Sequence, residues 1–173
     1  GHINALFPRI STVDVSITKP AGNLKELRIV QLSDIHLGTI IRSTYLKILV
    51  DKVNDLEPDL VLLAGDIVDE DVAPVAEQNM SRILREINAT YGVYAITGNH
   101  EYFSGVAAAV SYMEEGNITV LQDAVVKVAD AFYLVGRKDR MAERMAGGRK
   151  ELTEILQGVD KSYPIILMDH QPY

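Results

Sequence analysis

The stretch Leu27-Arg28-Ile29-Val30-Gln31-Leu32-Ser33-Asp34-Ile35-His36 decides how the rest of the chain is read. A short β-branched apolar run, Leu27 to Leu32, has the composition of a buried strand. It gives way at once to polar side chains able to hold a cation. The same sequence of events occurs three more times. Leu60 to Ala64 runs into Gly65-Asp66-Ile67-Val68-Asp69. Val93 to Thr97 runs into Gly98-Asn99-His100-Glu101, and Ile165 to Met168 runs into Asp169-His170. In open α/β sheets, ligands bind beyond the carboxyl ends of the strands. Four polar clusters far apart in sequence are therefore expected to meet at one rim.

Between these runs the pattern changes to helical spacing. Ser43 to Leu56 starts with a candidate N-cap and sets Leu46, Leu49, Val50 and Val53 on one face, and Pro58 ends it. Ala73 to Ala89 reads as one helix with Ile83, Leu84 and Ile87 inward, and Ser104 to Glu115 as another, closed by Gly116. Strands are expected at Ile118 to Leu121, Val125 to Val128 and Phe132 to Val135, and helix in the second half of Arg140 to Gln157. Near the start, Val13 to Thr18 alternates apolar and polar residues as a half-buried strand does, and Lys19 to Asn23 is turn material. Strands alternating with helices predict an α/β fold with parallel pairing, and the β-rich middle predicts some antiparallel sheet.

Composition narrows the function classes. The chain has 173 residues, which suits one domain over 1–173, with 1–24 as an N-terminal strand and turn. Its hydrophobic fraction of 47% is enough for a core. A formal net charge of −7 disfavours nucleic-acid binding, although bound cations could reverse the field locally. With no cysteine, a disulfide framework, a thiolate zinc site and a cysteine nucleophile are excluded. No apolar run reaches the roughly 18 residues of a membrane span, and no signal-peptide pattern is present. The opening Gly1-His2 reads as a tag remnant or the start of an excised segment.

The donors in the four clusters are carboxylate, imidazole and carboxamide, which suit Mn²⁺, Fe or Zn²⁺. Asp34 and His36 are two apart, so an extended segment would send both to one face. Gly65 and Gly98 would let the backbone turn at the strand ends. Taken singly, each signal has a bland reading. Asp-x-His is common, and Gly-Asp after a strand is usually a turn. Their joint occurrence in this order is what argues for chemistry.

Together, Asp34-x-His36, Gly65-Asp66, Gly98-Asn99-His100-Glu101 and His170 resemble the calcineurin-like metallophosphoesterase family, from about Leu27 to the end. The stretch Gln31 to Gly38, QLSDIHLG, is similar to the first motif of a bacterial branch of predicted phosphohydrolases, many of them membrane-associated. The resemblance implies an αββα sandwich with mixed sheets, and hydrolysis of a phosphate mono- or diester by a hydroxide activated by two divalent ions. It implies Asp34 and His36 as ligands of the first metal, Asp66 as the bridge, and Asn99 and His170 as ligands of the second. His100 would stand near the leaving group, oriented by Asp69. The family's Gly-His-x-His motif has no counterpart before Tyr173, so the C-terminal strands and one ligand per metal are expected to be missing. Glu70 stands where protein serine/threonine phosphatases carry an arginine, which argues against a phosphoprotein substrate.

Alternatives stay open at this level. A non-catalytic scaffold with a partial metal site and a single-metal hydrolase both fit. The expected partner is a small phosphorylated molecule, lipid- or nucleotide-derived. A longer parent could be membrane-associated or cytoplasmic, and metal identity and oligomeric state are undetermined. Asp169 reads as an orienter or a solvated residue, Glu101 as a cap for local backbone or a support for a ligand, and Arg137 to Arg140 as a solvated loop ahead of a reading in which they face phosphate. Tyr102 and Phe103 read either as core or as flanking a substrate.

Overall fold

A computed structural model describes residues 8–69, 71–103, 105–145 and 147–172. The expectations placed on Gly1-His2, Glu70, the helix start at Ser104 and the terminal Tyr173 lie outside the described residues.

Two sheets stack face to face. The first has four parallel strands in spatial order: β1 (Ile29–Leu32), β2 (Leu60–Ala64), β3 (Val93–Ile96) and β4 (Thr119–Val120). Its register pairs Leu32 with Leu63 and Ala64 with Ile96, so the clusters that follow these strands leave from one end. The second sheet holds β5 (Ala124–Val128), β6 (Phe132–Gly136) and β7 (Ile165–Met168). β5 and β6 are antiparallel, and β6 and β7 parallel, so this sheet is mixed as the sequence suggested.

β2 shows why its run is apolar throughout. Val61 and Leu63 join the core beneath the helices, while Leu60 and Leu62 join the core between the sheets. A strand covered on both faces needs apolar residues at every position. β1 departs from expectation. Its residues are exposed or half-buried, because it is the edge strand of its sheet.

Helix α1 (Ser43–Asp55) buries Leu46, Leu49, Val50 and Val53, the face read from spacing. Ser43 is not its N-cap. Arg42 holds that position, and the Gln78 side chain accepts from the Ser43 backbone N–H at 3.1 Å. The single helix expected over Ala73 to Ala89 is two: α2 (Ala73–Glu77) and α3 (Met80–Leu84), broken at Asn79 with φ 50°. That left-handed residue ends one helical path and starts another. Two further helices, α4 (Asn99–Phe103) and α5 (Val106–Glu115), follow β3. The connection from β6 to β7 carries α6 (Ala142–Met145) and α7 (Leu152–Ile155), whose Ala142 and Ile155 are buried.

The strand expected at Val13 to Thr18 does not form. The segment has no assigned strand and no partner among the described residues, and Val13 is 78% exposed. Alternation only prepares a strand for one covered face; a neighbour must supply the hydrogen bonds.

Leu134, 0% exposed, points between the sheets, and Leu167, 43% exposed, lies on the outer face of the same sheet. Leu134→Ala is expected to cost about 2–5 kcal/mol, and Leu167→Ala under about 1 kcal/mol, in urea unfolding.

Candidate metal centre

Four loop segments converge beyond β1, β2, β3 and β7. The first two are laced together along their backbones. Asp34 N–H donates to the Gly65 carbonyl at 3.1 Å, His36 N–H to that of Asp66 at 3.0 Å, and Leu37 N–H to that of Ile67 at 2.8 Å. Asp69 N–H returns to the Leu37 carbonyl at 2.9 Å. Asp34, His36 and Asp66 all have φ between 51° and 54°. Left-handed backbone at non-glycine residues costs free energy and persists only where surroundings impose it. The expected extended Asp34-x-His36 segment is therefore corrected. The side chains meet because the loop is held left-handed, not because a pleat alternates.

Two glycines are fixed by close approach. A Cβ at Gly65, where φ is 93°, would lie 2.6 Å from His170 Nδ1. One at Gly98 would lie 2.2 Å from Asp66 Oδ1. Gly65 serves the turn foreseen for it, whereas Gly98 makes room for a carboxylate.

Glu101 binds these loops from beneath. It is 0% exposed, and its carboxylate accepts from four backbone N–H groups: Asp66 at 3.1 Å, Ile67 at 2.7 Å, Val68 at 3.0 Å and Gly98 at 2.7 Å. Burial pushes this carboxyl above its usual range, while the N–H groups of Val68, Gly98 and Ile67 pull the other way. Its reading as a cap for local backbone matches this placement, though it clamps two loops rather than one.

Among the described residues, two trios bring ligand atoms within 4.8 Å of one another: Asp34, His36 and Asp66, and His36, Asp69 and His100. His36 Nε2 lies 3.9 Å from Asp66 Oδ2, and His36 Nδ1 3.6 Å from Asp69 Oδ1. His100 Nδ1 lies 3.0 Å from Asp69 Oδ1, and the His100 backbone N–H donates to Asp66 Oδ1 at 2.9 Å. His170 Nδ1 donates to the Ala64 carbonyl at 2.8 Å, which turns Nε2 toward Asp66 Oδ2 at 3.4 Å. A histidine fixed in this manner through one nitrogen offers the other as a ligand. All seven residues singled out from sequence thus lie on the converging loops. Asn99 enters through Gln171, whose Nε2 donates to Asn99 Oδ1 at 2.9 Å.

Asp66 and His170 are electrostatically coupled. Burial works to raise Asp66, but the His170 imidazole and the His100 backbone N–H outweigh it, and its carboxyl is held below the usual range. Hydrogen bonding to Asp66 raises His170 from 6.5 to about 9 against the effect of burial. Three carboxylates, three imidazoles and a carboxamide form an oxygen and nitrogen donor set that fits divalent cations.

Two features escaped the sequence reading. Gln171 is one, although its place beside His170 was a visible signal. The other corrects the solvated loop expected at Arg137 to Arg140. Arg137 pairs with Asp169 at 2.9 Å and donates to the Lys150 carbonyl at 3.1 Å, Arg149 pairs with the same carboxylate oxygen at 2.5 Å, and Asp139 is buried. Asp169 is accordingly tied by two guanidinium groups rather than solvated. Nothing in the local pattern around Arg149 marks it as a partner of residue 169.

The model for calcineurin-like phosphoesterases matches residues 27–173, and the chain belongs to that family. An uncharacterized metallophosphoesterase of Helicobacter pylori is 32% identical over 148 residues, covering 86% of this chain and 39% of the relative. A transmembrane protein with a metallophosphoesterase domain from Bos taurus is 31% identical over 185 residues, covering 99% and 41%. The chain thus spans about two fifths of the length of these relatives. The solved structure of Haemophilus influenzae NAD nucleotidase superposes with a TM-score of 0.52 at 18% identity, over 83% of this chain and 34% of that one, which shows a shared fold. Among the described residues, no helix is long and apolar enough to cross a membrane.

Two outcomes test this arrangement. Glu101→Gln puts an amide donor against backbone donors, and a loss of about 3–5 kcal/mol is expected in denaturant unfolding. His170, with its folded pKa raised from 6.5 to about 9, contributes stability in full below pH 6.5 and loses it as pH rises through 9. Chelator-treated protein should therefore lose stability between these limits, and His170→Ala should flatten that slope in unfolding measurements.

Proposed function

We propose that this protein hydrolyses a phosphate mono- or diester at a centre of two divalent ions. Asp34 and His36 hold the first ion, Asn99 and His170 the second, and Asp66 lies between them. The observation that carries the reading is Asp66. Its Oδ2 lies 3.9 Å from His36 Nε2 and 3.4 Å from His170 Nε2, between the histidines assigned to the two ions, while Oδ1 is held by the His100 backbone N–H. A carboxylate oxygen has more than one lone pair and can serve two cations at once.

Divalent ions held there would activate water at neutral pH and neutralise phosphate charge. The protein's own residues do the rest. Phosphoryl transfer rests on positioning and electrostatic stabilisation more than on covalent chemistry. Asp69 Oδ1, 3.0 Å from His100 Nδ1, holds that ring, and His100 would give a proton to the departing oxygen. Asn99 is a neutral ligand and adds no negative charge against the substrate. The Glu101 clamp keeps the loop of Asp66 and the start of the Asn99–Phe103 helix in fixed relation. The substrate class is a small phosphorylated molecule, and the acidic net charge of −7 works against a nucleic-acid polymer.

Turnover of an aryl phosphate with and without Mn²⁺ tests the reading, and metal-stimulated hydrolysis is expected. Asp66→Asn should remove most bound metal; unchanged metal stoichiometry by calorimetry would refute the bridging role. His100→Ala should lower kcat by about 10²–10⁴ with metal content nearly intact. Loss of metal in that variant would mean that His100 is a ligand instead.

A further inference from the structure

We infer that Phe103 forms a flat apolar platform for the leaving group, so that the site favours phosphoesters whose leaving group is a planar aromatic ring. This rests on the phosphoesterase reading above and names its substrate class.

Helix α4 divides its side chains sharply. Glu101 and Tyr102 turn inward, Glu101 to its four backbone donors and Tyr102 to Thr97 Oγ1 at 3.3 Å. His100 and Phe103 are three apart and share the opposite face. Phe103 is 55% exposed. A lone exposed apolar side chain is ordinary on a protein surface. This one is in ring contact with the candidate proton donor. The centroids of His100 and Phe103 are 5.8 Å apart at an interplanar angle of 80°, and those of His36 and His100 are 4.4 Å apart at 79°. Three rings therefore run in file from a proposed metal ligand to solvent.

The order of that file gives it a direction. His36 belongs to the metal side, His100 to the departing oxygen, and Phe103 lies one ring further out. A leaving group that receives its proton at His100 projects toward Phe103. At an angle of 80° the two rings meet edge to face, so His100 covers at most one face of Phe103. An aromatic ring on the leaving oxygen would bury apolar area there and adopt an offset or edge-to-face arrangement. A small alkyl group would not reach it.

Phosphonates, which cannot be hydrolysed at the phosphorus–carbon bond, separate binding from turnover. Calorimetry of Mn²⁺-loaded protein with phenyl-, cyclohexyl- and methylphosphonate is the experiment. Wild type should prefer phenyl over both others. Phe103→Ala should weaken phenylphosphonate about tenfold and leave methylphosphonate within about twofold. Phe103→Leu keeps apolar bulk without the flat face, and should erase the preference for phenyl over cyclohexyl. Ile48→Ala removes an exposed apolar residue on α1 and should change none of these affinities. Phenylphosphonate binding that is indifferent to residue 103, or equal loss for all three ligands, would overturn the inference while leaving the phosphoesterase reading in place. If none of the three binds wild-type protein in the presence of Mn²⁺, the site reading fails and this inference fails with it.

Discussion

The carboxylate of Glu101 is the constraint on which the rest of the site depends. Four backbone N–H groups, from the turn after β2 and the turn after β3, point at one buried side chain. Left without it, these donors would be unsatisfied in a place water does not reach, and each would carry a desolvation cost. One backbone carbonyl could not replace it, because a single oxygen with two lone pairs cannot accept from all four donors. Glu101 sits on the same short helix as Asn99, His100 and Phe103, so the clamp also fixes their orientation relative to Asp66.

Above the clamp, the loops store strain. Asp34, His36 and Asp66 occupy left-handed backbone, a conformation that single residues tolerate only when neighbours impose it. Here the cross-loop hydrogen bonds from Asp34, His36 and Leu37 to Gly65, Asp66 and Ile67 impose it. The Arg137–Asp169–Arg149 cluster fixes the end of β7 in the same spirit and sets the backbone from which His170 reaches Ala64 and Asp66.

Family membership and local chemistry agree on the class of reaction. The proposed assignments follow from distances around Asp66 and from the file of rings His36, His100 and Phe103. On these proposals metal would bind at the strand ends, and the outer face of α4 would select the substrate.

Much of this was legible in the chain. The apolar runs of β2 and β3 follow from burial against two neighbouring layers, and the buried face Leu46, Leu49, Val50 and Val53 from helical periodicity. The candidate site residues could be singled out as well, since each follows an apolar strand and strand ends in an α/β sheet share a rim. The tertiary structure alone decided the rest. Val13 to Thr18 has strand periodicity without a partner, Ala73 to Ala89 breaks at a left-handed Asn79, and β1 is half-exposed at an edge. Asp34 and His36 converge through imposed left-handed backbone, and Arg149 finds Asp169 across 20 residues of chain. Sequence determines which side chains can be buried and which can bind, because those are properties of single residues and their spacing. Which donor meets which acceptor depends on chain segments brought together from a distance, and only the folded backbone specifies that.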